Sequence, residues 1–520
     1  MTSFYETARL DPDREAVIDP DGTTLTFGQL GARVNRLSRA FRSLGLGKRD
    51  VVAAAVRNGH EFLELILATS QTGMYLVPVN YRLTPAEAAY ILSDSGARVV
   101  VADSELAAAL RGDAVFQGDA VFQGDAAPEH RFAVGAPVPG WRPYGELGSG
   151  EPGDPPEDRA WGMTMGYTSG TTGRPKGVEA PILDLDPELV VPFLLERTAT
   201  PYTGGRPGTH LVCSPLYHAA PNAHAASFLH AGHRVVIHDK FRPEPVLRDI
   251  ERYRVTTSHM VPTHFHRLLQ LPPEVRARYD LSSLEAVIHA GAPCPVAVKR
   301  AMLDWLGPVV WEYFASTEGY LTRVAPEEWL ARPGTTGKAV PGVTVKILGP
   351  DGTEVPPGEA GLIYFATEGL GTFSYRGDEA KTAASRAGDL ATVGDYGQLD
   401  ADGYLFPLDR RDDLIISGGA NVYPAEVEEQ LLAHPAVDDV AVIGVAHPDW
   451  GKAVVAVIQP AAGTAPAKVL ADALLEHCAQ SLAPHKRPRH IEFLTELPRT
   501  ETGKLRRKVL RDAYAELSVR

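Results

Sequence analysis

Only three cysteines occur in 520 residues, Cys213, Cys294 and Cys478, and they stand far apart. That excludes a disulfide framework and a cysteine-based metal knuckle, and it predicts small buried thiols in a reducing cytoplasm. Positive charge is not in excess either. Lys plus Arg number 51 against 65 Asp plus Glu, a formal net charge of −14. General binding to nucleic acid or to an anionic membrane needs the opposite balance. No apolar run is long enough to cross a bilayer, and the acidic opening MTSFYETARLDPDREA is no secretory signal. What remains is an ordinary globular composition, 44% hydrophobic and 22% charged, on a chain too long for one core.

Along the chain, strand and helix patterns alternate. After Thr26, apolar residues at Phe27, Leu30, Val34, Leu37, Phe41 and Leu44 recur in steps of three and four, one face of a helix that Gly45 and Gly47 stop. VVAAAV at 51–56 reads as a buried strand, HEFLELILAT as a helix and RVVVAD at 98–103 as another strand. Such alternation predicts parallel α/β layers. The unit GDAVFQ, repeated in tandem within 112–126, has too few copies for a solenoid and reads as a duplicated surface loop. From about Thr335, short β-like pieces with turn signals predict a small β subdomain. After Arg410 an α+β pattern begins: PAEVEEQLLAH as helix, VDDVAVIGVA and AVVAVIQ as strands, a helix near 468–482 and the strand IEFL. The expected architecture is therefore α/β. A large N-terminal domain (1–409) joins layered α/β subdomains to a small β-barrel-like one. A small, mobile α+β C-terminal domain (410–520) follows, with the boundary inside the charged run DRRDD.

The stretch Tyr167 to Val178, YTSGTTGRPKGV, is composed to hold an anion. Gly170 and Gly173 let backbone N–H groups turn toward an oxyanion. Thr168, Ser169, Thr171 and Thr172 add hydroxyls, and Lys176 adds a mobile charge. It is not a nucleoside-triphosphatase P-loop, because Gly177 follows the lysine where a magnesium-binding hydroxyl belongs. Histidines 218, 224, 230, 233 and 238 cluster in sequence, but no pair has zinc-ligand spacing.

YTSGTTGRPKGV resembles the signature of the adenylate-forming enzymes: acyl- and aryl-CoA synthetases, firefly luciferase and the adenylation domains of peptide synthetases. Four more of the family's motifs follow in its order: SPLYH (214–218), YFASTEG (313–319), the long run VGDYGQLDADGYLFPLDRRDDLIISGGANVYPAEVE (393–428) and PRTETGKLRRK (498–508). The resemblance implies that a carboxylic acid is joined to AMP with release of pyrophosphate, and that the acyl group then passes to a thiol. Both first reactants are anionic, so cationic and hydrogen-bonding groups must offset their repulsion. By resemblance, the loop from Thr168 through Ser169, Gly170, Thr171, Thr172 and Gly173 to Lys176 carries the β- and γ-phosphates. Thr317 donates to the α-phosphate, and Glu318 holds Mg²⁺, a hard cation suited to one carboxylate plus phosphates. Tyr313 and Phe314 belong to the adenine site with Phe314 stacked on the base, Glu312 faces the adenine edge, and Gly291, Ala292 and Pro293 form the opposite wall. Asp395 and Arg410 hold the ribose. Lys504 reaches from the C-terminal domain to the carboxylate and α-phosphate oxygens.

In the family the small domain then rotates, here about Asp412, so that Lys504 leaves and Gly418 and Gly419 open a pantetheine tunnel. Trp450, Arg487 and Arg489 match positions that hold the CoA nucleotide. His218 gates the acyl pocket. The small residues Ala219 to Ala223 leave room for a bulky or long apolar acid, fatty, aromatic or polycyclic. The implied partners are a small carboxylic acid, ATP and CoA, with a carrier-protein thiol as the rival acceptor and a homodimer open. Three departures stand out: Phe314-Ala315 replaces the usual Tyr-Gly, Asp409 the usual glycine, and Val393 the usual threonine. The first bears on adenylation, so a variant running mainly the thioester half-reaction is a further expectation.

Overall fold

The computed structural model describes residues 3–110, 127–168, 174–368, 372–410, 413–417, 420–447, 450–500, 503–515 and 517. The repeated GDAVFQ segment, Ser169 to Gly173, Asp412, Gly418 and Gly419 lie outside them.

The first predicted helix runs Phe27–Ser43. Its start is fixed by a reciprocal cap: Gln29 N–H donates to Thr26 Oγ1 at 3.2 Å, and Thr26 N–H donates to Gln29 Oε1 at 2.9 Å. Phe27, Leu30, Val34, Leu37 and Phe41 are all buried on its inner face. The strand Val51–Ala55 is buried at every residue. It lies between Tyr75–Pro78 and Ala97–Asp103, parallel to both, in a six-stranded sheet. Burial on both faces explains why it reads as an unbroken apolar run.

A hairpin joins this sheet's region to the next. Strand β1 (Gly166–Thr168) pairs antiparallel with β2 (Lys176–Glu179), in a register that sets Thr168 opposite Lys176. The second sheet has nine strands. At its centre, β3 (Thr209–Val212), β4 (Arg234–Ile237), β5 (Thr257–Met260), β6 (Ala286–His289) and β7 (Val310–Ser316) run parallel, and β8 (Gly319–Val324) returns antiparallel to β7. Helix α1 (Ala219–His230) connects β3 to β4, and α2 (Pro262–Leu269) follows β5. The spatial order is β8-β7-β6-β5-β3-β4. After β4 the chain therefore crosses over β3 to lay down β5. That reversal beside β3 is a topological switch point, and ligands of open α/β sheets bind in the crevice outside the carboxyl ends of such strands.

An antiparallel six-stranded sheet forms the small β subdomain; it includes β9 (Asp395–Leu399) and β10 (Leu405–Arg410). Beyond it, β11 (Ile415–Ser417), β12 (Val437–His447), β13 (Gly451–Pro460) and β14 (His490–Phe493) pair, among the described residues, with one another and with Ala420–Val422. Helices α3 (Pro424–Leu432) and α4 (Lys468–Ser481) pack on one face of this sheet, and α5 (Arg507–Ala513) belongs with the other. Alternation along β12 and β13 serves both faces: Val440, Val442, Val454 and Ile458 pack with Leu474 and Cys478, while Ala441, Ile443, Val455 and Val457 pack with Leu497 and Leu510. The smaller domain thus has its own core. No helix among the described residues is long and apolar enough to cross a membrane.

Candidate active site

The predicted site residues come from many strands, and the switch-point crevice gathers several of them. The SPLYH turn follows β3. Asn58 staples it: its Nδ2 donates to the carbonyls of Ser214 and His238, each at 2.9 Å, and its Oδ1 accepts from Leu216 N–H at 2.8 Å. His218 then stands at the N-cap of α1. Burial, and next the Lys504 ammonium, push the His218 imidazole down to about 4, so it is neutral at neutral pH. Of the five small residues after it, Ala219 and Ala223 are exposed and Ala220 is half-buried. Pro221 and Asn222 turn inward, and Asn222 donates to Leu216 O at 3.1 Å.

Beyond β5 the two domains touch. Gly503 has φ of +76°, and a Cβ there would sit 1.7 Å from Thr263 Oγ1 on α2. Only glycine fits both the backbone and the space. The next residue is Lys504, at the end of a braced turn. Gly503 N–H donates to Thr500 O at 2.8 Å, and Lys504 N–H donates to Thr500 Oγ1 at 3.1 Å. Arg499 grips Asp439 with two bonds of 2.6 Å and gives a third, also 2.6 Å, to Gly503 O. The ammonium is thereby placed within electrostatic reach of His218. Nearby, Gln270 Nε2 donates to Asp438 Oδ1 at 3.3 Å, and His266 Nε2 lies 3.2 Å from the same oxygen.

Strands β6 and β7 supply the next wall. Gly291 takes φ of +87° just past β6, beside Ala292 and Pro293. On β7 the side chains alternate. Phe314 packs on the cluster of Ile347, Ile363 and Leu405 in the β subdomain. Tyr313 points the other way, with its hydroxyl 3.1 Å from His259 Nε2 and its ring stacked on Tyr320 at 4.8 Å. Glu312 is committed within the protein: Lys299 Nζ donates to its Oε2 at 2.7 Å, and His289 Nε2 lies 3.5 Å away. Lys299 is fully buried and rests on the Trp329 ring. Burial pushes the Glu312 carboxyl up and the Lys299 ammonium down, and each opposes the other's shift. An edge contact from Glu312 to adenine has to share this pairing.

Thr317 and Glu318 sit in the turn between β7 and β8. A Cβ on Gly166 would come within 2.6 Å of Thr317 Cγ2, so the base of the β1–β2 hairpin abuts the Thr317 turn. Tyr375 donates to Glu318 Oε1 at 3.0 Å. That single carboxylate, partly exposed, stands where no cluster of three or more His, Cys, Asp or Glu occurs among the described residues. Such a donor set fits Mg²⁺ shared with phosphate oxygens, not an all-protein cage.

The hairpin itself is held from below. Tyr167 donates to Asp94 Oδ2 at 2.8 Å, while the Tyr90 hydroxyl lies 3.2 Å from Asp94 Oδ1 and 3.0 Å from Pro175 O. Arg174 covers the Tyr90 ring. Asp395, on β9, is buried and directly opposite Arg410 on β10, so the two ribose candidates are cross-strand neighbours. In the C-terminal domain, His447 stacks on Trp450 at 4.2 Å, and the Arg489 guanidinium lies 4.6 Å from the Trp450 centroid. Arg487 instead donates to Leu482 O at 2.8 Å.

Sequence reasoning missed Asn58, Asp94, Thr263, Tyr375 and Arg499. Each acts through a partner distant in sequence, and only Arg499 lies inside a motif read for chemistry.

Residues 4–373 match the family model described as AMP-binding enzyme, and residues 426–504 match that of the AMP-binding enzyme C-terminal domain. The chain is 34% identical over 514 residues to a feruloyl-CoA synthase of an Amycolatopsis species, covering 96% of this chain and 95% of that one. It is 31% identical to the fatty acid–acyl-carrier-protein ligase ScoC of Streptomyces coeruleorubidus, covering 99% and 95%. Among solved structures it resembles the o-succinylbenzoate CoA synthetase of Bacillus subtilis in complex with its acyl-adenylate, with a TM-score of 0.79, 28% identity and 98% of each chain covered. The chain belongs to the AMP-binding enzyme family. Within it, the protein is an ATP-dependent, AMP-forming acid–thiol ligase.

Proposed function

We propose that the protein adenylates a compact, largely apolar carboxylic acid in the switch-point crevice and passes the acyl group to CoA. The observation that carries this reading is the docking of Gly503 on Thr263, which brings Lys504 within electrostatic reach of His218. A flexible ammonium brought by the smaller domain suits the joint charge of a carboxylate and an α-phosphate. His218, held neutral, can flank an apolar acid without adding a second cation. Thr317 donates to the α-phosphate, and Asp395 with Arg410 holds the ribose. The segment from Thr168 to Lys176 cradles the leaving pyrophosphate. Glu318 is the residue that would hold Mg²⁺, which neutralises phosphate charge when bound. Gly291, Ala292, Pro293 and Phe314 enclose the adenine.

The domain boundary falls at 409/410 with Asp412 as hinge in this reading. Rotation there removes Lys504, and Gly418 and Gly419 then line the thiol's path. The aromatic block formed by Tyr313, Tyr320, Tyr202 and Trp311 stands behind Ala220. It narrows the expected acid to a compact one, at the expense of a long chain. Trp450 is already engaged by His447 and by Arg489, which supports a second reading in which the acceptor is a carrier-protein thiol.

The test is pyrophosphate release with a panel of acids, with and without CoA, and mass spectrometry of the products. Acid-dependent release ending in a CoA thioester is the expected result. Adenylate that reacts only with a carrier protein would support the second reading, and binding without turnover would defeat both.

A further inference from the structure

Behind the acyl site lies a group of buried imidazoles that the chemistry above does not use. His224 is on α1, six residues beyond His218, and its Nδ1 is 2.9 Å from Ala220 O. A carbonyl only accepts, so the proton is on Nδ1 and Nε2 is left as a bare acceptor. That Nε2 is buried and has no hydrogen-bond partner among the described residues. The His224 ring lies 4.7 Å from the His259 ring and 5.5 Å from the Tyr313 ring. His259 spends its Nε2 on the Tyr313 hydroxyl, and its Nδ1 is likewise buried and unpartnered.

Buried polar groups nearly always have partners, and one left unmade costs about 1–3 kcal/mol. Two such nitrogens on touching rings call for a common explanation. Their position gives it. Ala220, which fixes His224, and Ala315 and Tyr320 pack on the same cluster as Tyr313, and Tyr313 and Ala315 flank Phe314 on the strand that leads into Thr317. The rings therefore lie between α1, which begins at His218, and β7, which leads into Thr317, the two residues that the ligase reading sets at the acid and at the α-phosphate.

We infer that the acyl site ends in a hydrogen-bonding patch, in which His224 Nε2 accepts an O–H or N–H from the far end of the acid. The substrate class is a compact acid, aromatic or of similar size, bearing a distal hydroxyl or amino group. This deepens the ligase reading and rests on it. His224 is then a specificity-determining residue: it leaves the carboxylate chemistry alone and selects among acids. A site built to bond a substrate donor discriminates against the analogue that lacks it far more sharply than an apolar pocket rejects an added group.

The experiment measures kcat/KM for pyrophosphate release with matched sets: 4-hydroxybenzoate, benzoate and 4-methoxybenzoate, and the corresponding cinnamates. The readout is the ratio of hydroxylated to unsubstituted or methoxylated acid within each enzyme. In the wild type the expected ratio is at least on the order of 10³, above the roughly 100-fold that an apolar pocket supplies. In His224→Leu it falls toward 1, and in His224→Gln, which keeps an acceptor, it is partly restored. Tyr313→Phe, which frees His259, supplies an independent lowering of the ratio if the leucine variant does not fold. A wild-type ratio of 1 or less, or a ratio unchanged in His224→Leu, overturns the inference while leaving the ligase intact. No pyrophosphate release with any acid overturns the ligase reading itself.

Discussion

At Gly503, one missing methyl decides whether two domains meet. Alanine would strain a backbone at φ of +76° and would drive its Cβ into Thr263. Gly503→Ala is therefore expected to cut acid-dependent pyrophosphate release by at least about 100-fold, since a displacement of even 1 Å at a reacting group costs that much. Thioester formation from added acyl-adenylate should fall far less, because in the proposed cycle the contact belongs to the adenylating arrangement. Lys504→Ala should give the same split without disturbing docking. If both variants lose the two half-reactions equally, Lys504 is not the adenylating ammonium. Residues of this kind differ in how readable they are. Lys504 can be singled out because a charged group in a dense motif advertises itself. Thr263 is not, for a threonine one residue into a helix carries no sign that a glycine from 240 residues away will lie against it.

Elements were legible where burial sets the pattern. The helix Phe27–Ser43 and the strand Val51–Ala55 follow directly from apolar spacing, and so do the paired strands β12 and β13. The hairpin β1–β2 shows the limit. Its residues declare an anion loop, yet nothing local names Asp94 as the group that ties it down through Tyr90 and Tyr167. Replacing that carboxylate loosens both hydroxyls at once. Asp94→Ala is expected to raise KM for ATP by about 3- to 10-fold, the loss of one or two hydrogen bonds of about 1 kcal/mol each, with a smaller change in kcat. An unchanged KM for ATP would show that the hairpin's position does not depend on this brace.

For the whole molecule, the division into a larger and a smaller domain could be read from the shift in pattern after Arg410. The order of the nine-stranded sheet could not, because strand order depends on crossovers that leave no local trace. The acyl end of the site was hidden for a similar reason: His224, His259 and Tyr313 come from three elements. Buried histidine also gives the whole fold an acid limit. Burial pushes His224 and His233 down to about 4, and His230 and His264 to about 3. The unfolded chain protonates these imidazoles near their ordinary 6.5, while the folded one resists. Stability is full above about pH 6.5 and is lost as pH falls toward 4, by about 1.4 kcal/mol per pH unit for each such histidine. Thermal denaturation followed between pH 7.5 and 5 should show Tm dropping steeply below 6.5. A flat profile would mean that these rings are solvated.

The clamp of Arg499 on Asp439 lies wholly within the smaller domain, and it holds the turn that presents Lys504. In the proposed rotation of that domain the turn would travel as a finished piece, like a bit left locked in its chuck. Its order would be established once, when the chain folds, and each return stroke of the proposed cycle would need only to find the crevice.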